Sequence, residues 1–274
     1  MINENSDDSI VLKECIVGHI DVLGAKALIE DDEISFISTL KEMIKAAQSL
    51  CEVYNQTSHR KFDYKLKIFS DNLCFYAELP ETGDEESKKN KWENILYMFF
   101  LISAFQYIAI LEHKILLRGG ISIGNLYYND DFIIGKALSE AYMLEAKNAV
   151  YSRILIDKKI IKENERPTGA KLTDFIMQDT DGNFMLNYLV YAHGAKIFDE
   201  TQSDNIPKHK EILLEKLNEA KDKSVEAKIL SSIYYHNKFC KESGLNNHLI
   251  DSKLLHQKFG FVFRIFRVIG NLFK

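Results

Sequence analysis

The chain has little of several residue types that would narrow its class. Proline occurs three times in 274 residues, at Pro80, Pro167 and Pro207, so no proline-rich linker divides it. The four cysteines, Cys15, Cys51, Cys74 and Cys240, never fall at C-x-x-C spacing, which removes the commonest zinc pattern. Cys15 and Cys74 sit inside apolar runs and read as small core residues. This usage suits a reducing, cytoplasmic compartment. Positive charge is not in excess: the formal net charge is −5. That speaks against bulk nucleic-acid binding but leaves room for a small anion held by local cations or metals. The N-terminal MINENSDDS lacks the basic start and apolar centre of a signal peptide. The most apolar run, Ile95 to Leu111, contains Ser103 and Gln106 and is closed by Glu112, His113 and Lys114. It reads as a buried helix rather than a membrane span.

What remains is ordinary globular material, 46% hydrophobic and 27% charged, enough for one large domain or a domain with an appendage. CIVGHIDVL (15–23) is β-branched and apolar and predicts a buried strand. Helical spacing of Ile34, Ile37, Leu40, Ile44, Ala47 and Leu50 predicts a helix over 33–55. FDYKLKIF (62–69) and LCFYAEL (73–79) predict two strands joined by Ser70-Asp71-Asn72, a hairpin with Asp71 at its tip. A charged loop (80–91), a long helix (92–113), a strand (115–123), a turn or short second hairpin (124–131), a helix (135–148) and a strand (152–157) follow. The order β-α-β-β-α-β predicts an α+β fold of the ferredoxin-like or split βαβ kind, with helices on one face of an antiparallel sheet. Asp181-Gly182 between apolar runs predicts an added hairpin. Beyond Pro207 helices are expected at about 208–222, 224–242 and 251–273. The expected division is a polar tail (1–14), a main domain (15–200) and a helical extension (201–274).

Two aspartates stand out. Asp21 ends an apolar strand, where a carboxylate is costly unless paired or bound to a cation. Asp71 sits at the tip of a hairpin that this sheet order places beside that strand. Aspartates converging from adjacent strands suit two hard divalent cations, which about 3.5–4 Å apart clamp the attacking and leaving oxygens of a phosphoryl transfer. The residues alone equally allow Asp71 as a turn former and Asp21 as a cap.

Four segments, in order, resemble class III nucleotidyl cyclases. GHIDVLGAK is similar to F-x-D-I-x-G-F, and KIFSDNLCFY to K-x-x-G-D with Ser70 in place of glycine. LLRGGISIGNLYY is similar to R-x-G-I-x-x-G, and GKALSEAYMLE to G-D-x-V-N-x-A-x-R-M-E. The resemblance implies Asp21, Asp71 and the Val22 carbonyl as ligands of two Mn²⁺ or Mg²⁺ ions. It implies Arg118 as the triphosphate contact and Lys67 as the base-reading lysine. Gly18 and His19, which border Asp21, are further candidates to face the nucleotide. It also implies a homodimer, because the family's site lies between subunits.

The fourth segment departs from the pattern. Ser139 falls where the ribose-orienting asparagine belongs and Met143 where the transition-state arginine belongs. Phe132, with Asp131 beside it, falls near the adenine-reading aspartate. Arg153 and Lys147 are the nearby cations, each read as a surface or structural residue ahead of a catalytic one. The segments together are most similar to the pyrimidine nucleotide cyclases of bacterial Pycsar antiphage systems, and SSIYYHNKFC resembles that group's C-terminal region. This implies a uridylate (or cytidylate) cyclase whose cyclic product activates a separate effector. A purine cyclase, and a degenerate cyclase domain without activity, are the alternatives; the missing GGDEF-like turn argues against a diguanylate cyclase. In 256–274 cations and amides recur at spacings of three and four among phenylalanines and aliphatics. That predicts a cationic amphipathic helix, read as docking on the protein before lying on a membrane.

Overall fold

A computed structural model describes residues 10–57, 61–163, 175–190 and 205–251. β1 (Lys13–Val22) leads into α1 (Ala25–Thr57), followed by β2 (Lys65–Phe69), β3 (Asn72–Glu78), α2 (Glu85–His113) and β4 (Leu117–Tyr128). β5 (Ile133–Gly135), α3 (Lys136–Asn148), β6 (Ile154–Ile156), α4 (Lys158–Glu163), β7 (Ile176–Gln178) and β8 (Phe184–Leu186) come next. Two helices, α5 (Asn205–Glu219) and α6 (Lys223–Glu242), and a 3₁₀ turn at Asn246–His248 close the described chain. The sheet runs β2-β3-β1-β4-β6-β8-β7, with β5 paired to β4. Its first four strands have the expected split βαβ arrangement: β1 lies between β3 and β4, antiparallel to both.

Two expectations need correcting. Helices cover both faces of the sheet. Ile16, Ile20 and Val22 of β1 join Met43 of α1 and Phe99 and Phe105 of α2 in one core. The alternate residues Cys15 and Val17 pack with Tyr76, Leu126 and the α3 residues Ala137 and Ala141. A strand buried on both sides has no polar face, which is why β1 reads as a continuous apolar run. The sheet is also mixed, because β6 runs parallel to β4. α3 crosses the sheet between them and returns the chain in the same direction, as a parallel connection requires.

Some element ends also moved. α2 begins at Glu85, inside the charged stretch read as loop. Asp84 caps it: its carboxylate accepts from the Ser87 amide at 2.8 Å, and the Ser87 hydroxyl accepts from the Asp84 amide at 3.0 Å. This reciprocal capping box starts a helix without apolar periodicity. α1 starts at Ala25 but breaks at Asp32 (φ −153°, ψ 94°), whose side chain accepts from the Ser35 amide and caps the segment beyond. β4 runs on to Tyr128 and pairs with β5, so the short second hairpin forms. The Asp181-Gly182 hairpin forms as expected, with Gly182 at φ 76°.

α2, among the described residues the one helix long and apolar enough to cross a membrane, is a core helix: Ile95, Met98, Phe99, Ile102 and Phe105 are fully buried. Burying each such side chain contributes about 1.5–3 kcal/mol. All four cysteines are free and buried, and burial pushes the Cys15 and Cys74 thiols up to about 12, leaving them inert at neutral pH.

α5 and α6 share a core with the far side of the sheet, where Ile212, Leu213, Ile233 and Phe239 meet Ile110, Leu155 and Met185. A polar chain runs through this layer. His236 Nε2 lies 3.0 Å from the His248 carbonyl and so carries the hydrogen. Its Nδ1 then accepts from His209 Nδ1 at 2.9 Å, and His209 Nε2 accepts from the Tyr188 hydroxyl at 2.7 Å. Every member is satisfied with both rings neutral. Burial pulls both histidines below the usual 6.5; a charge on His236 lowers His209 further, while for His236 the His248 carbonyl opposes burial and the Lys210 and His248 charges add to it. The amphipathic stretch 256–274 lies outside the described residues.

Candidate active site

The ends of three adjacent strands bring the predicted site together. Asp21 pairs with Asn72 of β3 on one side and with Arg118 of β4 on the other. The Val22 amide donates to the Asp71 carbonyl at 3.3 Å, which ties the β2–β3 turn to the end of β1. Asp71 is therefore one residue from Asn72 and directly across from Val22. Ser70 takes φ 56° in that two-residue turn, a position where glycine is normally favoured. The serine in F-S-D-N thus preserves the turn's backbone shape at some strain.

Asp21 is 9% exposed, and its Oδ2 accepts from Arg118 Nε at 2.6 Å. The same nitrogen lies 2.8 Å from Glu145 Oε1 of α3. Nε carries one hydrogen, which points to Asp21, so Glu145 Oε1 has a charged neighbour and no hydrogen bond. Glu145 is 4% exposed. Burial raises its carboxyl above the usual range and the Asp21 charge adds to this, while Arg118 opposes both.

Gly120 explains the contact. A Cβ there would lie 2.2 Å from the Ala141 carbonyl and 2.6 Å from Leu144 Cβ. Only glycine lets α3 approach β4 this closely, and the approach sets Glu145 against Arg118.

His19 lies one pleat inward of Asp21, opposite Cys74 and Gly120. Its ring meets Tyr142 of α3 edge-on at 5.5 Å, and its Nδ1 has no hydrogen-bond partner. Burial lowers its pKa, Asp21 opposes that and Arg118 adds to it. Lys67 lies opposite Cys74 on the same row of the sheet, where its ammonium donates to the Asp130 carbonyl in the β4–β5 turn.

Gly18 is not brought to this group. It faces α2, where a Cβ would lie 2.4 Å from Ile102 Cδ1, so its smallness serves helix packing. Arg153 is structural: it is buried and binds Asp179, Asp181 and the Asn148 carbonyl. Ser139, Met143 and Lys147 are exposed on α3, and Phe132 is exposed in the β4–β5 turn.

Sequence reading gave Glu145 no role of its own. The available signal was its spacing: Ala137, Ala141 and Glu145 recur every four residues, which puts a carboxylate on the buried stripe of α3.

Asp21, Asp71 and the Val22 carbonyl are all oxygen donors, the chemistry Mg²⁺ and Mn²⁺ prefer, and Asp21 is a buried carboxylate whose charge Arg118 already balances. The residues present fit such ions. Among the described residues no group of three or more His, Cys, Asp or Glu side chains is placed to hold a metal, so a metal here would rely on the backbone carbonyl and on substrate oxygens.

No family model matches the chain, and no curated protein does. Solved structures similar to it are class III cyclase domains. The adenylyl cyclase CyaB from P. aeruginosa is 16% identical, with a TM-score of 0.42 over 65% of this chain and 96% of that one. The guanylate cyclase domain of RhGC from Catenaria anguillulae, in complex with GTP, is 12% identical, with a TM-score of 0.40 over 64% and 96%. A class III adenylyl cyclase-like ATP-binding protein from Pseudomonas aeruginosa is 12% identical, with a TM-score of 0.42 over 67% of this chain and 40% of that one. Likeness at this level leaves the chemistry of the site to its residues.

Proposed function

We propose that the protein is a divalent-metal-dependent nucleotidyl cyclase acting on a pyrimidine nucleoside triphosphate, UTP ahead of CTP. The observation that carries this reading is the register: Asp71 lies across from Val22, and Arg118 lies across from Asp21. Asp21, Asp71 and Arg118 thus lie at one end of three adjacent strands, where the resemblance takes the two aspartates as metal ligands and Arg118 as the triphosphate contact. The four ordered segments that resemble class III cyclases support it. The pyrimidine choice rests on the narrower resemblance of these four segments together, and of SSIYYHNKFC, to the Pycsar cyclases.

Mn²⁺ or Mg²⁺ held by Asp21, Asp71 and the Val22 carbonyl would supply Lewis acidity at the 3′-hydroxyl and at the leaving pyrophosphate. In the reaction a bond forms between the 3′-oxygen and the α-phosphorus. The bond from the α-phosphorus to the bridging oxygen breaks, pyrophosphate departs and the hydroxyl proton passes to solvent. Arg118 offers its terminal nitrogens to triphosphate oxygens in a planar fork. Neutral His19, with an unpaired ring nitrogen, and Lys67 offer polar groups along the row beneath. The protein's main contribution is positioning and charge stabilisation. A homodimer, a role for the cyclic product as second messenger in antiphage defence, and a separate effector complete the proposal.

The test is incubation with each nucleoside triphosphate and Mn²⁺, with products identified by mass spectrometry. Cyclic UMP or CMP from the wild type and not from Asp71→Ala is the expected result. One observation favours a second reading: Ser139 and Met143, where the family carries an asparagine and an arginine, present no cation. A binding module without activity would bind a triphosphate and give no cyclic product.

A further inference from the structure

The Arg118 side chain sits between two carboxylates that compete for one hydrogen. Nε is 2.6 Å from Asp21 Oδ2 and 2.8 Å from Glu145 Oε1, and its single hydrogen serves Asp21. Glu145 is the more buried acid, with 5% of its side chain exposed against 12% for Asp21, yet it holds the unfilled acceptor. A buried acceptor without a hydrogen carries an uncompensated desolvation penalty. Rotation of the guanidinium toward Glu145 would remove that cost and transfer it to Asp21.

We propose that Arg118 is a built-in counter-ion of Asp21 that competes with a divalent cation, and that Glu145 is the positioning residue that takes the Arg118 hydrogen bond when Asp21 gives it up. The inference rests on the metal reading of Asp21. Arg118 would then remain in place with its terminal nitrogens free for phosphate oxygens, held by the carboxylate that does not bind metal. Glu145 sets how readily Asp21 becomes available, because without it Asp21 is, among the described residues, the acid left paired with Arg118.

The experiment is Mn²⁺ binding to the full chain without nucleotide, followed by electron paramagnetic resonance of the free ion. Arg118→Gln removes the competitor and is expected to tighten Mn²⁺ binding about tenfold, the low end of a neighbouring charge's effect on a carboxylate. Glu145→Gln keeps the shape, leaves Arg118 on Asp21 and is expected to weaken binding by a similar factor. In Arg118→Gln/Glu145→Gln the Glu145 effect should vanish, since there is no arginine to draw off; a double-mutant cycle measures this coupling directly. A general structural role for Glu145 would weaken binding with or without Arg118. Mn²⁺ binding equal in wild type and both single variants overturns the proposal while leaving the metal site standing. No Mn²⁺ binding in any variant, Arg118→Gln included, overturns the metal reading itself and the proposal with it.

Discussion

Arg118 and Arg153 each lie between two acids on the same sheet, and the difference between them separates scaffold from site. Arg153, with 8% of its side chain exposed, gives separate nitrogens to Asp179 and Asp181. Nη2 also reaches the Asn148 carbonyl at 2.6 Å, and only Nε goes without a partner. Burial works against the Arg153 charge, but the hydrogen bonds and charges of the two aspartates outweigh it and raise its pKa. Burial likewise works against the Asp181 charge and is the largest single influence on it, but the hydrogen bonds from Arg153 and Asn183 and the Arg153 charge together outweigh it and lower its pKa. The arginine pins the β7–β8 turn to the end of α3. Arg118 offers one N–H to two carboxylates and leaves a buried oxygen unfilled. An arrangement in which each acid has its own donor has one stable state. One in which two acids share a donor has two, and such unsettled groups belong at functional positions more than in a core. The Tyr188–His209–His236 chain is of the settled kind, with one acceptor for every hydrogen.

The comparison breaks most visibly at Arg153. Arg153→Leu strands two aspartates and is expected to lower stability by about 3–5 kcal/mol, read as a shift in urea midpoint at constant slope. Asp71→Asn should do the reverse. Asp71 is only half-buried, so the urea midpoint should barely move, while cyclic nucleotide production falls at least about a hundredfold, the usual loss on removing one electrostatic stabiliser. If Asp71→Asn instead lowers the urea midpoint while the folded protein keeps its specific activity, Asp71 belongs with the scaffold.

The pH dependence sharpens the settled side. His209 and His236 titrate below 6.5 in the folded protein, so the unfolded chain takes up protons first. Stability is then full above about 6.5 and declines as the pH falls below it, by about 1 kcal/mol per histidine per pH unit. Urea titrations at pH 7.5 and 5.5 measure the loss. His209→Gln, which removes one titrating group, should flatten it. The smallest expected effect is at the strained turn: Ser70→Gly relieves the left-handed backbone at φ 56° and should stabilise the protein by about 1 kcal/mol. A loss of stability there would mean that the serine side chain has a role the turn geometry does not account for.

Much of the sheet was legible in the sequence because apolar runs and turn residues report local structure. Asp181-Gly182 announced a hairpin, and Ser70-Asp71-Asn72 another. The start of α2 was not legible from periodicity, because Asp84 and Ser87 begin it by capping while the first two turns stay in solvent. The second face of the sheet was not legible either. β1 is apolar throughout, and a run without alternation does not say what covers each side. Within the site, Asp21, Asp71 and Arg118 stood out as charged residues at the ends of apolar strands. Gly18 stood out by its position beside them, yet it faces α2. Glu145 was passed over, because a glutamate on a helix is ordinarily solvated.

The sequence by itself determined which segments become strands and helices and which charged side chains end up at strand ends. Those properties follow from the spacing of apolar residues within a few turns of chain. Only the tertiary structure decided that one N–H of Arg118 stands between Asp21 and Glu145. That contact depends on α3 lying directly on Gly120, a packing of elements distant in sequence that no local pattern encodes.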